Sequence, residues 1–195
     1  MKQQRQSGFT LVEIAIVLVI IGLLLGGILK GQELITNAKV RNVADQQTSV
    51  KAAFFAFQDR FRALPGDYLQ ATINIPNVTT NGDGDGRIGS VPESIRAWNH
   101  LTNAGFISCS QCTADLSTDA GQTQNNSPTN AFGGVLFIQS DNVYLNAPTG
   151  GSNNLKTGAS IPSNVLVEVD RKIDDGAPGT GAIRFSTAGG ALQAD

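Results

Sequence analysis

The sequence is poor in the residue types that build most metal centres and active sites. Among 195 residues there is one histidine, His100, and there are two cysteines, Cys109 and Cys112. A histidine-rich metal centre is therefore excluded, and a zinc ribbon would need a second cysteine pair. The formal net charge is only −2, which argues against a strongly basic nucleic-acid-binding protein. The sequence contains no nucleophile–base pair, phosphate-binding loop or metal triad, so we do not expect an enzyme.

The sequence does contain one long apolar run near its start. No charged residue occurs from Ile14 to Leu29. Residues 9–29 in a helix would span about 30 Å, the thickness of a bilayer core. Lys2 and Arg5 precede this run, so the positive-inside rule places residues 1–8 in the cytoplasm and predicts that the helix crosses the membrane.

Glu13 is the feature of this run that needs an explanation. A secretory signal peptide fits poorly, because the apolar run continues without a cleavage site of the A-x-A type and would contain the carboxylate. An ordinary membrane anchor explains the length of the run but not Glu13, since an ionisable side chain at membrane depth needs a partner.

The stretch GFTLVEIAIVLVIIG, residues 8–22, resembles the processing motif of type IV pilins and of the pseudopilins of type II secretion systems. The resemblance implies that a prepilin peptidase cleaves after Gly8 on the cytoplasmic side. It implies that Phe9, the new N-terminal residue, is then N-methylated, and that Glu13 is the fifth residue of the mature chain. The implied partners are the peptidase, an inner-membrane assembly platform, membrane lipid, and identical or related subunits in a helical filament.

The new amino terminus supplies a partner for Glu13. The Phe9 amine stays cationic at neutral pH after methylation, and it lies about one helical turn from Glu13. In a filament the amine of a neighbouring subunit can reach the same carboxylate, which removes most of the cost of placing that charge in an apolar surrounding. We therefore expect Glu13 to favour assembly and to set the stagger between subunits. The alternative is that its side chain snorkels to the lipid headgroups.

Residues 30–64 predict an amphipathic continuation of the same helix. Apolar residues recur at alternating spacings of three and four, which forms one stripe on a helix; the stripe consists of Val40, Val43, Gln47, Val50, Phe54, Phe57, Phe61 and Leu64. Pro65 and Gly66 end the pattern, so the helix is expected from about Phe9 to Ala63. A coiled-coil dimer is one reading of the stripe, and packing against a sheet of the same chain is the favoured one.

Residues 65–195 predict a globular head that contains an acidic, glycine-rich loop, NGDGDGRIG. Its oxygen-bearing side chains occupy positions one, three and five of an EF-hand-like calcium loop, with glycine at six. The closing acid is displaced by one place, because Pro92 occupies position twelve. We expect Ca²⁺ as a cofactor, and the expected ligands are the side chains of Asn81, Asp83 and Asp85, the backbone carbonyl of Arg87 and the carboxylate of Glu93. A surface turn is the alternative reading.

The next segments predict a helix and a disulfide. VPESIRAWNHL, residues 91–101, has Pro92 at a helix start and an apolar face, so it predicts a short helix. His100 on this helix is expected to be a surface or packing residue, since no nucleophile or second histidine lies nearby. The spacing of Cys109 and Cys112 between a helix end and a polar loop favours a small structural disulfide over a redox motif.

The C-terminal part predicts short strands. Val135–Gln139 and Val143–Leu145 are expected to form a hairpin through Ser140, Asp141 and Asn142. Residues 163–175 fit a strand or a helix, with the helix favoured, and Asp174 and Asp175 are expected to be turn residues. AIRFST, residues 182–187, is expected to be the final strand.

The predicted fold is α+β and pilin-like, with a long N-terminal helix packed on a small head with an antiparallel sheet. The predicted divisions are a cleaved leader 1–8, a membrane or filament-core helix 9–29, its amphipathic continuation 30–64 and a head 65–195. The resemblance implies a structural subunit of a type IV pilus or related filament. It places the chain in a bacterial inner membrane with a periplasmic head, and afterwards in a filament. The alternatives are a pseudopilin of a secretion or DNA-uptake system and a single-span membrane protein with a ligand-binding head.

Overall fold

The structure is a computed structural model that describes residues 10–113, 121–144, 146, 149, 151–185 and, for the backbone alone, 192–194. The elements in chain order are α1 Leu11–Phe61, α2 Ala71–Asn74, α3 Val91–Asn103, a 3-10 turn Ser110–Thr113, β1 Phe137–Asp141, β2 Ser152–Lys156, α4 Ser163–Ile173, β3 Ile183–Phe185 and β4 Leu192–Ala194. The predicted α+β architecture, with one long N-terminal helix and an antiparallel sheet, is confirmed.

The chain divides into two compact units at residue 38. Up to Ala38, every described residue is α-helical or precedes the helix, and nearly all side chains are exposed. Its apolar residues surround the helix on all sides, so no face is distinguished from another. The described residues of this unit form no core of their own.

The second unit, from Lys39, contains the hydrophobic core. Val43 and Phe57 of α1 are fully buried, as the alternating spacing of three and four predicted. One cluster packs Phe57 against Trp98 of α3 and Ile138 of β1, and a second packs Val43 against Val169 of α4. The amphipathic part of α1 thus forms the central element of this unit, as expected for packing within one chain.

The sheet is antiparallel throughout, with strand order β1-β2-β4-β3. The predicted hairpin of Val135–Gln139 with Val143–Leu145 is wrong, because β1 pairs with β2 in the register Phe137↔Lys156; Leu145 lies outside the described residues. The polar sequence SNNLK of β2 is stabilised by Asn154, whose amide donates to the Asp141 carbonyl at 3.0 Å.

The structure also decides the two remaining predictions for the C-terminal part, which concern residues 163–175 and 182–187. The segment 163–175, which fits a strand or a helix by sequence, is helical over Ser163–Ile173, as favoured. Val165, Leu166 and Val169 face the core at helical spacing. Of the predicted final strand, residues Ile183–Phe185 do form a strand, β3, but it is not the last one, since β4 follows it and lies between β2 and β3. Residues 186–191 lie outside the described part of the chain.

The acidic loop is attached to this sheet through one buried residue. The carbonyl of Ile88 accepts from the Ser140 amide at 2.7 Å, and its own amide donates to the side-chain carbonyl of Asn153 at 3.0 Å. Ile88 is fully buried. Strands β1 and β2 therefore fix the end of the loop that precedes α3.

Candidate functional site

The start of α1 is closed by Thr10 and Glu13. The Glu13 carboxylate accepts from the Thr10 backbone amide and from the Thr10 hydroxyl, each at 2.8 Å. In return, the Glu13 amide donates to the Thr10 hydroxyl oxygen at 3.3 Å. This reciprocal arrangement is a capping box, which satisfies backbone amides that have no partner inside the helix.

The sequence signal for this cap is T-x-x-E in front of an apolar run, and the sequence reasoning overlooked it. Gly8 and Phe9, the predicted cleavage and methylation positions, lie outside the described residues. Pairing of Glu13 with the Phe9 amine therefore stays a prediction. What the structure adds is that the Glu13 carboxylate already has donors within its own chain.

The N-terminal unit exposes a continuous apolar surface. Leu11 is 85% exposed and Leu23 is 74% exposed, in a helix that is the one described helix long and apolar enough to cross a membrane. Monomeric soluble proteins seldom expose apolar patches above a few hundred Å². This surface therefore needs lipid or other protein chains around it.

The acidic loop folds around a residue that the motif analysis did not include, Asp67. Its Oδ1 accepts from the amides of Gly84 at 2.5 Å and Asp85 at 3.0 Å, and its Oδ2 accepts from the amide of Gly86 at 2.9 Å. Asp67 is only 5% exposed. It reaches this position through the tight turn at Gly66, where φ is +91° and a Cβ would lie 2.4 Å from the Glu93 carbonyl oxygen.

The predicted calcium ligands do not all lie together. Carboxylate oxygens of Asp83 and Glu93 lie with one of Asp67 in a group whose members are all within 4.8 Å of one another. Asp85 is outside this group and accepts from the Arg87 amide at 2.7 Å. Asn81 accepts from the Thr72 amide at 2.9 Å through its side-chain oxygen.

The group has the electrostatics of closely spaced acids. Burial raises the pKa of Asp67, and the Gly86 and Gly84 amides oppose that rise. Burial also raises the pKa of Glu93, to which the charge of Asp83 adds. Three carboxylate oxygens this close fit the hard-oxygen ligand set that Ca²⁺ prefers. Asp67 could not be included from spacing, because it lies sixteen residues before Asp83.

Glu93 also has a structural role at the start of α3. Its Oε2 accepts from the Ser90 amide at 3.1 Å and the Gly89 amide at 2.9 Å, and the Ser90 hydroxyl accepts from the Glu93 amide at 3.3 Å. This is a second capping box. Each carboxylate oxygen has two lone pairs, so the cap does not prevent a cation from binding.

His100 and the cysteines have structural positions. His100 is fully buried, its Nδ1 accepts from the Gly66 amide at 3.0 Å, and its ring stacks on Phe57. It is a packing residue that also holds the turn before Asp67. Cys109 and Cys112 are joined in a disulfide with a Cα–Cα distance of 5.3 Å.

Comparison with known proteins gives one finding, at the start of the chain. Residues 3–29 match the family model described as the prokaryotic N-terminal methylation motif, which is the prepilin-type motif of type IV pilins and pseudopilins. No curated protein and no solved structure matches the chain.

Proposed function

We propose that this chain is the precursor of a structural subunit of a type IV pilus or a related filament. The observation that carries the proposal is the methylation motif at residues 3–29, which supports a pilin-like or pseudopilin precursor in general. The motif is that of structural pilin-type proteins rather than of an enzyme family. It also implies processing by a prepilin peptidase and assembly with other pilin subunits.

The proposed sequence of events begins in the membrane. The apolar helix anchors the precursor in the inner membrane, with the head in the periplasm. The peptidase then cleaves after Gly8 and Phe9 is methylated. The exposed apolar surface of residues 11–35 exchanges lipid for the helices of neighbouring subunits, and the Phe9 amine of one subunit compensates the Glu13 charge of another.

The same motif is shared by pseudopilins, so a role in type II secretion or DNA uptake is the second candidate. A different class is a single-span membrane protein whose head binds a ligand. Cleavage separates this last class from the other two, because a simple anchor keeps residues 1–8.

We also propose that the group of Asp67, Asp83 and Glu93 binds Ca²⁺ in the periplasm or outside the cell. Support comes from the three clustered carboxylate oxygens, which repel one another when no cation is present. With few protein ligands, this site belongs to the weak, millimolar class of extracellular calcium sites.

Intact-mass measurement of the membrane-extracted protein tests the main proposal. The wild type should lose residues 1–8 and gain one methyl group on Phe9 when it is expressed with a prepilin peptidase. Gly8→Val should block cleavage, because a branched side chain crowds the scissile bond. Gly26→Val is the matched control, since the space around Gly26 is open and it lies far along the helix from Gly8. An uncleaved wild type, or an equally cleaved Gly8→Val variant, would contradict the proposal.

A further inference from the structure

A second acidic cluster lies at the end of α4, and its central residue is Asp170. Asp170 has no exposed surface, and neither of its carboxylate oxygens has a hydrogen-bond partner among the residues that the structure describes. A buried carboxylate without partners costs several kcal/mol in general, because it loses its hydration and regains nothing. A positively charged partner beside Asp170 would remove this cost.

The neighbours of Asp170 are two more carboxylates. One oxygen each of Asp170, Asp174 and Asp175 lie within 4.8 Å of one another. The Ile183 amide donates to Asp174 at 2.8 Å and fixes that side chain in place. Gly181 has a φ of +71°, and a Cβ there would lie 2.0 Å from the same Asp174 oxygen, so the loop is shaped closely around this carboxylate.

Asp175 is held from the other side of the cluster by the loop DDGAPGTG. Its Oδ1 accepts from the Ala177 amide at 2.8 Å, and its Oδ2 accepts from the Thr180 hydroxyl at 2.6 Å. These bonds orient Asp175 without bringing a positive charge to Asp170. The three acids therefore keep their spacing although nothing described in the structure neutralises the buried one.

The electrostatics of this place are unfavourable for acids. The three residues lie in the last turn of α4 and just beyond it, where the helix dipole is negative. Burial raises the pKa of Asp170, and the charges of Asp175 and Asp174 add to the rise, while the Gly176 amide lowers it in part without making a hydrogen bond of normal geometry.

Among the residues that the structure describes, no basic side chain forms a hydrogen bond or an ion pair with Asp170. Arg171 and Lys172, in the same turn, are exposed. The Arg184 guanidinium donates to the carbonyls of Gly181 at 3.1 Å and Asn146 at 3.2 Å. The pKa of Asp175 is lowered mainly by the hydrogen bond from the Thr180 hydroxyl, and the charge of Arg184 adds to this effect. The described part of the chain thus supplies oriented oxygen ligands around Asp170 and no positive charge that pairs with it.

We propose that Asp170, Asp174 and Asp175 form a binding site for a divalent cation of the calcium class. A single ion at about 2.4 Å from each ligand bridges oxygens up to twice that distance apart, which fits the observed spacing. Carboxylate oxygens are the ligands of hard cations, and water completes the coordination shell. The ion joins the end of α4 to β3, because Asp174 is bonded to the first residue of that strand. This proposal does not depend on the proposed function of the chain.

The test is calcium binding to the full chain in detergent micelles after treatment with EDTA. Calorimetric titration and thermal melting are measured in an Asp83→Asn background, so that the loop at Asp67 does not contribute. Asp170→Asn keeps the shape of the side chain and removes its charge. Glu168→Gln is the matched control, because it makes the same change two residues away on the exposed side of α4.

Two results are expected for Asp170→Asn. Without metal this variant melts at a higher temperature than its parent, since a buried charge has been removed. With calcium its affinity falls at least about tenfold, whereas Glu168→Gln binds like the parent. Asp175→Asn, at an exposed position, should also weaken binding, and it serves as the second variant if Asp170→Asn does not fold.

The proposal is overturned if the parent binds no calcium at millimolar concentration. It is also overturned if Asp170→Asn and Asp175→Asn both bind as tightly as Glu168→Gln. In the first case calcium changes the melting temperature of neither the parent nor Asp170→Asn.

Discussion

The N-terminal unit up to Ala38 and the unit from Lys39 contain similar apolar residues with opposite exposure. Leu24 in the first is 60% exposed, whereas Leu101 in the second is fully buried. In the second unit, helix, sheet and loops of one chain cover the apolar side chains, as in any globular core. In the first unit only molecules outside the chain can do so. The comparison indicates that residues 10–38 form a surface that must be covered by other molecules, whereas the described residues from Lys39 onwards form a body with its own core.

The same contrast applies to two glutamates. Glu13 and Glu93 both close a capping box, with Thr10 and Ser90 respectively. Glu93 is 4% exposed and lies beside Asp67 and Asp83, so its charge is involved in a site within the chain. Glu13 is exposed on an apolar helix, and the partner proposed for its charge is the Phe9 amine of its own or a neighbouring subunit. The same local geometry thus occurs in two different surroundings.

The largest expected effect is the loss of filaments in variants of Glu13. Two variants distinguish the role of this side chain in the helix cap from the role of its charge. Glu13→Val removes both, so filaments should be lost while membrane accumulation and cleavage continue. Glu13→Gln keeps the capping geometry, since glutamine serves at this position of the box, but cannot form an ion pair with an amine. If the charge acts in assembly, Glu13→Gln should also lack filaments, as counted by electron microscopy.

The control for this comparison is Thr10→Val, which removes the hydroxyl of the cap and keeps the carboxylate. It should lower helix stability at its start by about 1 kcal/mol and still assemble. Filaments formed by Glu13→Gln in wild-type amounts, together with none in Thr10→Val, would assign Glu13 to capping and refute the pairing.

The second prediction tests the difference in burial between the two units. Phe57→Ala should lower the free energy of unfolding of the second unit by about 3–5 kcal/mol, because Phe57 is fully buried among Phe61, Tyr68 and Phe106. Leu24→Ala should change it by less than about 0.5 kcal/mol. Urea denaturation followed by the fluorescence of Trp98, the sole tryptophan, measures both. Equal effects would contradict the division into a core and an assembly surface.

The third prediction concerns calcium at the loop of Asp67. In an Asp170→Asn background, calcium at a hundredfold excess over Kd should stabilise the chain by about 2.7 kcal/mol, and magnesium should do less. Asp83→Asn should abolish this shift. Asp85→Asn discriminates between the linear motif, which includes Asp85, and the spatial group, which does not. Unchanged melting in calcium and EDTA would leave the loop as a surface turn.

The smallest expected effect is at the cap of α3. Ser90→Ala removes the acceptor for the Glu93 amide and should destabilise the second unit by about 1 kcal/mol. Ser90→Thr keeps an acceptor and is expected to have less than half that effect. Thermal melting of both variants measures the difference. A loss as large as that of Phe57→Ala would show that the start of α3 depends on Ser90 for more than a cap.

The elements that could be predicted are those whose signals are local. The helix from Leu11 to Phe61 follows from an all-round apolar run and then a stripe at helical spacing, and α3 follows from its start signals and apolar face. α4 was ambiguous because alternating valines also suit a strand. Packing of Val165 and Val169 against α1 decided for the helix.

The strands could be predicted only in part. β2 has the sequence SNNLK, which carries no strand signal of its own. Its pairing depends on β1 and β4 and on the side-chain bonds of Asn153 and Asn154. The predicted hairpin joined two segments that are adjacent in sequence, whereas ten residues separate β1 from its actual partner, β2.

By itself, the sequence determined the apolar helix, its processing motif and the position of the stripe that packs, because these depend on the order of residues along the chain. Only the tertiary structure decided which acids meet. Asp67 joins Asp83 and Glu93 because a turn at Gly66 directs it into the loop, and Asp170 is fully buried in the folded chain. Distances between side chains far apart in sequence are set by packing, and no spacing rule encodes them.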